Sequence, residues 1–468
     1  MSTCGDKISI CVSKVFFVAF FYQGMRQGLT ETENDNTFFQ KVRKSPKSLV
    51  CKRWTLLSRN SWSNIKRLDF HKNTWGSCSV INKKTFRKVI RLSAKYLTSI
   101  DIPYIEDERY RVKLSTPIGF RDICNILTSC DNIQELDMTD SDVFDLQCST
   151  KIKCTNYEHK IVPLLMRHYH RITKIGLIMI SFCDREEDWF TLFSKMKKLK
   201  SLHLSSIPLY YNGSFFRKLP CDFIEELYFT YKMPLELEEN GILNLIMKKC
   251  STLHTIGFEN VETLKLDSII PALIVHKNLK NLVLYGISAS RSLVNLALFK
   301  LTHLETLDIG GNDFLDDALL ELISRKCKHL TELNISDSEN VTDSGILHLS
   351  VLPKLRHLYI ARSLQITCPP FENIPNLEEL DCSECEDLNE ECLCKFVRKA
   401  PQLRKLGIES CPLISNKLLN TIIDVVKLRE DNRALDIFLA GTNINLKLLK
   451  ETPLLLNIHK TRIHRIIS

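Results

Sequence analysis

A six-residue pattern, apolar-x-x-apolar-x-apolar, returns along most of this chain, and no other feature limits its possible folds as sharply. It is carried by Ile65, Leu68 and Phe70; Leu97, Ile100 and Ile102; Ile133, Leu136 and Met138; Ile172, Ile175 and Leu177; Leu199, Leu202 and Leu204; Ile224, Leu227 and Phe229; and Leu253, Ile256 and Phe258. It continues through Leu279, Leu282 and Leu284; Leu304, Leu307 and Ile309; Leu330, Leu333 and Ile335; Leu355, Leu358 and Ile360; Leu377, Leu380 and Cys382; and Leu403, Leu406 and Ile408. Ala434, Ile437 and Leu439 form the weakest of fourteen occurrences. From Leu199 to Leu403 successive copies lie 25, 29, 26, 25, 26, 25, 22 and 26 residues apart. Scattered apolar triplets do not keep such a period, which marks a stack of small repeated units.

Each unit reads as a short strand, a turn and a helical stretch. After the strand come apolar residues at helical spacing: Phe314, Leu319 and Leu322; Val341, Ile346 and Leu349; Leu388, Leu393 and Phe396. Thr342-Asp343 and Ser415-Asn416 supply oxygens for the first helical amides, which lack partners within the helix. One strand edge and one helix face cannot be buried by a single unit, so stability must come from stacking. Each buried Leu or Ile then contributes about 1.5–3 kcal/mol against comparable chain entropy.

Composition agrees with one elongated array. A chain of 468 residues would otherwise suggest about three globular domains. With 44% hydrophobic and 25% charged residues, wholesale disorder and collagen-like structure are excluded. No stretch reaches the roughly 18 uncharged apolar residues of a membrane span. The net charge of +9 is uneven: residues 1–100 hold 19 Lys/Arg against 5 Asp/Glu, and the remainder holds 45 against 50. The basic start favours an acidic partner there, protein in preference to nucleic acid, or is simply a solvated surface. The 18 cysteines have no framework spacing, so reduced thiols are expected. Val15 to Tyr22 reads either as an apolar segment packing on the first helix or as a short signal-peptide core.

The best-formed unit is Cys327-Lys-His-Leu330-Thr-Glu-Leu333-Asn-Ile335 followed by Val341-Thr-Asp-Ser-Gly-Ile346. It resembles the cysteine-containing class of leucine-rich repeat. The resemblance implies an α/β fold, a curved solenoid with a parallel sheet on its concave face and helices outside, over residues 65–445. The spacings of 32, 36 and 39 at its start imply insertions there. Residues 446–468 read as a C-terminal cap and basic tail.

Ahead of the repeats, in residues 49–64, Val50, Trp54 and Leu57 form one stripe of an amphipathic helix flanked by Lys52, Arg53 and Arg59. Val50-Cys51-Lys52-Arg53-Trp54, with Trp62 eight residues on and direct entry into the first repeat, resembles the C-terminal half of an F-box. F-box proteins with leucine-rich repeats are non-enzymatic substrate receptors of cullin-RING ubiquitin ligases. The resemblance implies that Trp54 and Leu57 pack the helical motif, and that Val50 and Cys51 lie at or beneath the adaptor surface. It also implies that Lys52 and Arg53 add complementary charge toward an acidic Skp-type adaptor on its cullin scaffold, and that Trp62 closes the motif on the first repeat. The family's Leu-Pro-containing first helix and the apolar second helix have no counterpart in residues 1–48, so the F-box is half missing or replaced. A capping helix, a stand-alone scaffold or decoy, and a secreted repeat protein are the alternative readings.

Strand alternation turns the residues between the apolar anchors to the concave face. In this slot His203, Tyr228, Asp308, Asn334, Tyr359 and Asp381 are the expected substrate-facing residues, with Asp69, Asp101 and Asp137 earlier. Acidic and aromatic groups together suit a basic or amphipathic segment of a protein partner. Cys382, Cys385, Cys392 and Cys394 have the donor types of a zinc site, but the repeat accounts for Cys382 as a strand anchor and Cys385 as the turn position this class fills with Cys or Asn. His168-Tyr169-His170 is expected at the surface or stacked. Gly310-Gly311 is expected in a turn, and Asn212, Asn334 and Asn340 head glycosylation triplets. Nothing pairs a nucleophile with a base, so neither catalysis nor a cofactor or metal is expected.

Overall fold

The computed structural model describes residues 65–68, 80–81, 83–101, 113–114, 120–138, 158–178, 186–205, 219–230, 248–261, 270–429, 433–448, 453 and 455–459. The chain divides into two compact units, Met1–Lys198 and Leu199–Ser468. In the first are strands β1 (Arg67–Leu68), β2 (Val80–Ile81), β3 (Ser99–Asp101), β4 (Lys113–Leu114), β5 (Glu135–Asp137) and β6 (Lys174–Ile178). Helices α1 (Lys83–Ser93), α2 (Phe120–Ser129), α3 (Glu158–Leu165) and α4 (Glu186–Lys195) separate them. Strands β1, β3, β5 and β6 pair in chain order, all parallel, with Leu68, Ile100, Leu136 and Ile175 side by side. Parallel neighbours require a crossover, which the helical half of each repeat supplies. A separate pair, β2 with β4, is also parallel and has no signature in the repeat pattern.

The second unit continues with β7 (Ser201–Ser205), β8 (Glu226–Thr230), β9 (Thr255–Glu259), β10 (Asn281–Tyr285), β11 (Thr306–Asp308) and β12 (Glu332–Asn334). It ends with β13 (His357–Tyr359), β14 (Glu379–Asp381), β15 (Lys405–Gly407), β16 (Leu435–Phe438) and β17 (Leu456–His459). Its helices are α5 (Ile270–Leu273), α6 (Arg291–Lys300), α7 (Asp317–Lys326), α8 (Asp343–His348), α9 (Glu390–Lys399) and α10 (Asn416–Lys427). The strands pair in order and in parallel, and the middle anchors Leu282, Leu307, Leu333, Leu358, Leu380, Leu406 and Ile437 lie in one row. The protein is therefore an α/β repeat solenoid. Each of the fourteen copies of the pattern overlaps a strand, four in the first unit and ten in the second. A fifteenth strand, β17, pairs with β16 inside the stretch expected only to cap the array.

Apolar anchors build the core between sheet and helices. Leu333, Ile335, Val341, Ile346 and Leu349 are fully buried, as are Leu388, Leu393 and Phe396. Phe229 and Phe258 stack at 5.3 Å between adjacent rungs. The helix starts are capped where the sequence places oxygens: Thr342 accepts from Ser344 N at 3.2 Å and Ser415 from Lys417 N at 3.3 Å. Asp316 and Asn389 do the same for α7 and α9. Among the described residues no helix is long and apolar enough to cross a membrane.

The turn after each strand is also periodic. Two residues beyond the last anchor, φ is positive at Asn260, Gly286, Gly311, Asp337, Arg362, Glu384, Ser410 and Gly441, which includes the expected turn at Gly310-Gly311. Five of these are not glycine, so each bears the cost of the left-handed conformation. The following residue points inward. Asn312 donates to Leu284 O at 2.6 Å and Ile309 O at 2.8 Å and accepts from Ile287 N at 2.6 Å. Cys385 and Cys411 thiols donate to Ile360 O and Cys382 O. Cys385 thus occupies the turn position expected of it.

Two expectations need correction. Nine of the described cysteines are free, but Cys368 and Cys392 form a disulfide, so the thiols are not uniformly reduced. The periodicity that brings residues 24 apart into neighbouring rungs, not a cysteine framework, makes that contact. His168 is buried, with Nε2 2.8 Å from Leu127 O, while Tyr169 and His170 pack edge to face. Asn334 is buried against Asp308 and is closed to a glycan.

Candidate substrate-binding face

Inward anchors alternate with residues on the opposite face of the sheet. In the second unit this open face carries, strand by strand, the slot His203, Tyr228, Gly257, Val283, Asp308, Asn334, Tyr359, Asp381, Gly407 and Phe438, in register along the ladder. All six residues expected to face a substrate lie in this one row. Their accessibility differs. His203, Tyr228 and Asp381 are half-buried, whereas Asp308, Asn334 and Tyr359 are only 4%, 6% and 3% exposed.

The burial has a lateral cause. Asn334 Nδ2 donates to Asp308 Oδ2 at 3.0 Å, and Gly310 N donates to the other carboxylate oxygen at 3.1 Å. Burial pushes the Asp308 carboxyl up to about 7 despite these bonds. The His203 and Tyr228 rings meet at 5.8 Å, and His203 Nε2 lies 3.0 Å from Thr230 Oγ1. Tyr228 lies over Gly257, where a Cβ would fall on ring atom Cδ1. Burial raises the Tyr228 phenol above its ordinary value. Gly407 likewise leaves room for the Asp381 carboxylate, which accepts from Ser383 N at 3.0 Å and Ser383 Oγ at 2.6 Å.

Flanking rows hold charges that sequence reading did not single out. Lys200 pairs with Glu225 at 2.9 Å, Lys280 with Glu305 at 2.8 Å, and Glu378 with both Arg356 and Arg404. Nearer the open face, His357 faces Glu332 at 3.2 Å and Lys405 faces Glu379 at 3.3 Å. Burial raises the Glu379 carboxyl, and Lys405 opposes the shift. At the turn edge Asp337 accepts from Tyr285 Oη and from the Arg362 guanidinium, whose other side lies 4.0 Å from Glu384. Apart from Tyr285 and Asp337, which lie 52 residues apart, each pair sets a basic side chain beside an acidic one a single repeat away, which is the sequence signal by which they are detectable.

The result is a laterally cross-linked sheet face with aromatic, imidazole and carboxylate groups. Val50, Cys51, Lys52, Arg53, Trp54, Leu57 and Trp62 lie outside the described residues, as do Asp69 and Asn212.

No family model matches the chain. Over 172 residues it is 26% identical to the F-box/LRR-repeat protein 4 of Bos taurus, a match covering 35% of this chain. The chain thus spans about a quarter (24%) of the length of that relative. Among solved structures, a chain of the yeast Rad7 and Elc1 complex shares the fold with a TM-score of 0.54 and 13% identity, over 92% of this chain and 98% of that one. An internalin of Listeria monocytogenes, inlF, aligns at TM-score 0.38 and 15% identity over 61% of this chain and 72% of its own.

Proposed function

We propose that this chain is a non-catalytic substrate-recognition subunit of a cullin-RING, SCF-type ubiquitin ligase. The solenoid's open face holds the target protein, and the segment around Trp54 docks on a Skp-type adaptor that joins it to the cullin scaffold. The observation that carries the reading is the half-buried His203, Tyr228 and Asp381 on the open face of a repeat fold. The Val50–Trp54 motif placed directly before the first repeat, and the similarity to an F-box/LRR-repeat protein, support the adaptor half of the proposal.

In this reading Val50, Cys51, Lys52, Arg53, Trp54, Leu57 and Trp62 serve the adaptor. His203, Tyr228 and Asp381 serve the substrate directly, while Asp308, Asn334 and Tyr359 stiffen the row beneath it. Tyr is a frequent interface anchor, and Asp381 with Glu379 favours a basic or amphipathic target segment. The working compartment is cytoplasm, nucleus or both. Proximity labelling of cells expressing the full chain, with and without proteasome inhibition, tests this. Adaptor and cullin should be labelled in both conditions, and substrates should accumulate under inhibition. Labelling that omits the adaptor and is insensitive to the proteasome would favour a stand-alone scaffold.

A further inference from the structure

From α7 onward, a carboxylate or amide at the first helical position ties one repeat to the next. Asp317 accepts from Thr342 N at 2.8 Å and Thr342 Oγ1 at 2.6 Å, and Asp343 accepts from Thr367 N at 3.0 Å and Thr367 Oγ1 at 2.8 Å. Glu390 accepts from Ser415 N and Leu418 N, both at 2.9 Å, and Asn416 accepts from Asn445 N at 2.8 Å. One rung breaks the series. Between Asp343 and Glu390 the equivalent position is Cys368, which has no carboxylate to offer. This is also the repeat shortened to 22 residues, where Pro369-Pro370 leads into a 3-10 turn, Phe371–Asn373, in place of an α-helix. Here Cys368 is joined to Cys392 of α9 in the next repeat, with Cα atoms 5.5 Å apart, an ordinary separation for a disulfide.

We propose that Cys368 and Cys392 form a reversible thiol–disulfide site, a covalent substitute for the missing acid clamp, that exchanges with a small disulfide of the glutathione class. The inference does not rest on the ligase reading. Cys368 is exposed, and its backbone N–H is held by Asp343 at 2.8 Å, whereas Cys392 is buried in the first turn of α9. The order of events follows from access. The Cys368 thiolate attacks glutathione disulfide, forming a mixed disulfide and releasing one glutathione thiolate. The Cys392 thiolate then attacks the Cys368 sulfur and releases the second. The two protons lost by the cysteines end on the two glutathiones, and the two electrons reduce the glutathione disulfide.

The test is to equilibrate the full chain in graded mixtures of reduced and oxidised glutathione, quench with acid, alkylate, and quantify the Cys368–Cys392 peptide by mass spectrometry. One two-electron transition confined to this pair is expected, with a melting midpoint several degrees higher on the oxidised side. Cys392→Ser should trap glutathione on Cys368, and Cys368→Asp should abolish the redox dependence of the midpoint while holding it near the oxidised value. Full alkylation of both thiols at every ratio, or linkage of Cys368 to another cysteine such as Cys394, would overturn the proposal.

Discussion

Individual residues on the open face are fixed by what their neighbours leave room for. Tyr228 lies flat because Gly257 has no Cβ, so Gly257→Ala is expected to destabilise the protein by about 1–3 kcal/mol through forced displacement of the ring. A chemical-denaturation midpoint would show this, and adding Tyr228→Ser should recover part of the loss. Asp308 makes a pH prediction. Its folded carboxyl titrates near 7, above the ordinary 3.8, so the folded state binds the extra proton between those values. The stability it contributes is present at low pH and is lost as pH rises from about 4 through 7. Asp308→Asn should flatten that part of the pH profile of urea unfolding, and an unchanged slope would assign it to other carboxyls such as Glu379.

At the scale of strands and helices, the repeat pattern disclosed fourteen strands and the helices α7 to α10, but few of the ties between them. Leu202, Leu333 and Leu406 revealed their strands because an inward anchor must be apolar wherever the rung is stacked. Val80–Ile81 with Lys113–Leu114, and β17, escaped because two to four residues without the full anchor pattern carry no period. Alternation assigns Tyr359 and Asp308 to the row between the anchors, yet their burial depends on lateral neighbours about 25 residues away, which a local pattern does not contain. The acid clamps are legible only in that second direction, as Asp317 with Thr342 or Asp343 with Thr367. Asp343→Ala removes three hydrogen bonds to the neighbouring turn. It should cost about 1–2 kcal/mol in equilibrium unfolding, less than the sum of three buried bonds because this turn is exposed.

For the molecule as a whole, stacking makes stability a chain of nearest-neighbour contacts. Leu333→Ala, in a fully buried anchor, should therefore cost about 2–5 kcal/mol, and hydrogen exchange should rise most in the rungs on either side, from β11 to β13. The proposed function is divided the same way, with target capture assigned to the open face and adaptor binding to the segment before the first repeat. Replacing His203, Tyr228 and Asp381 together by Ala should reduce target capture while leaving adaptor binding intact. Loss of both would place the two activities on one surface.

Native mass spectrometry of the purified full chain mixed with a Skp-type adaptor and its cullin addresses the central claim most directly. A one-to-one-to-one assembly that Trp54→Ala and Leu57→Ala dissolve is the predicted result. A chain that remains alone at every concentration, with its repeats folded, would contradict the ligase account.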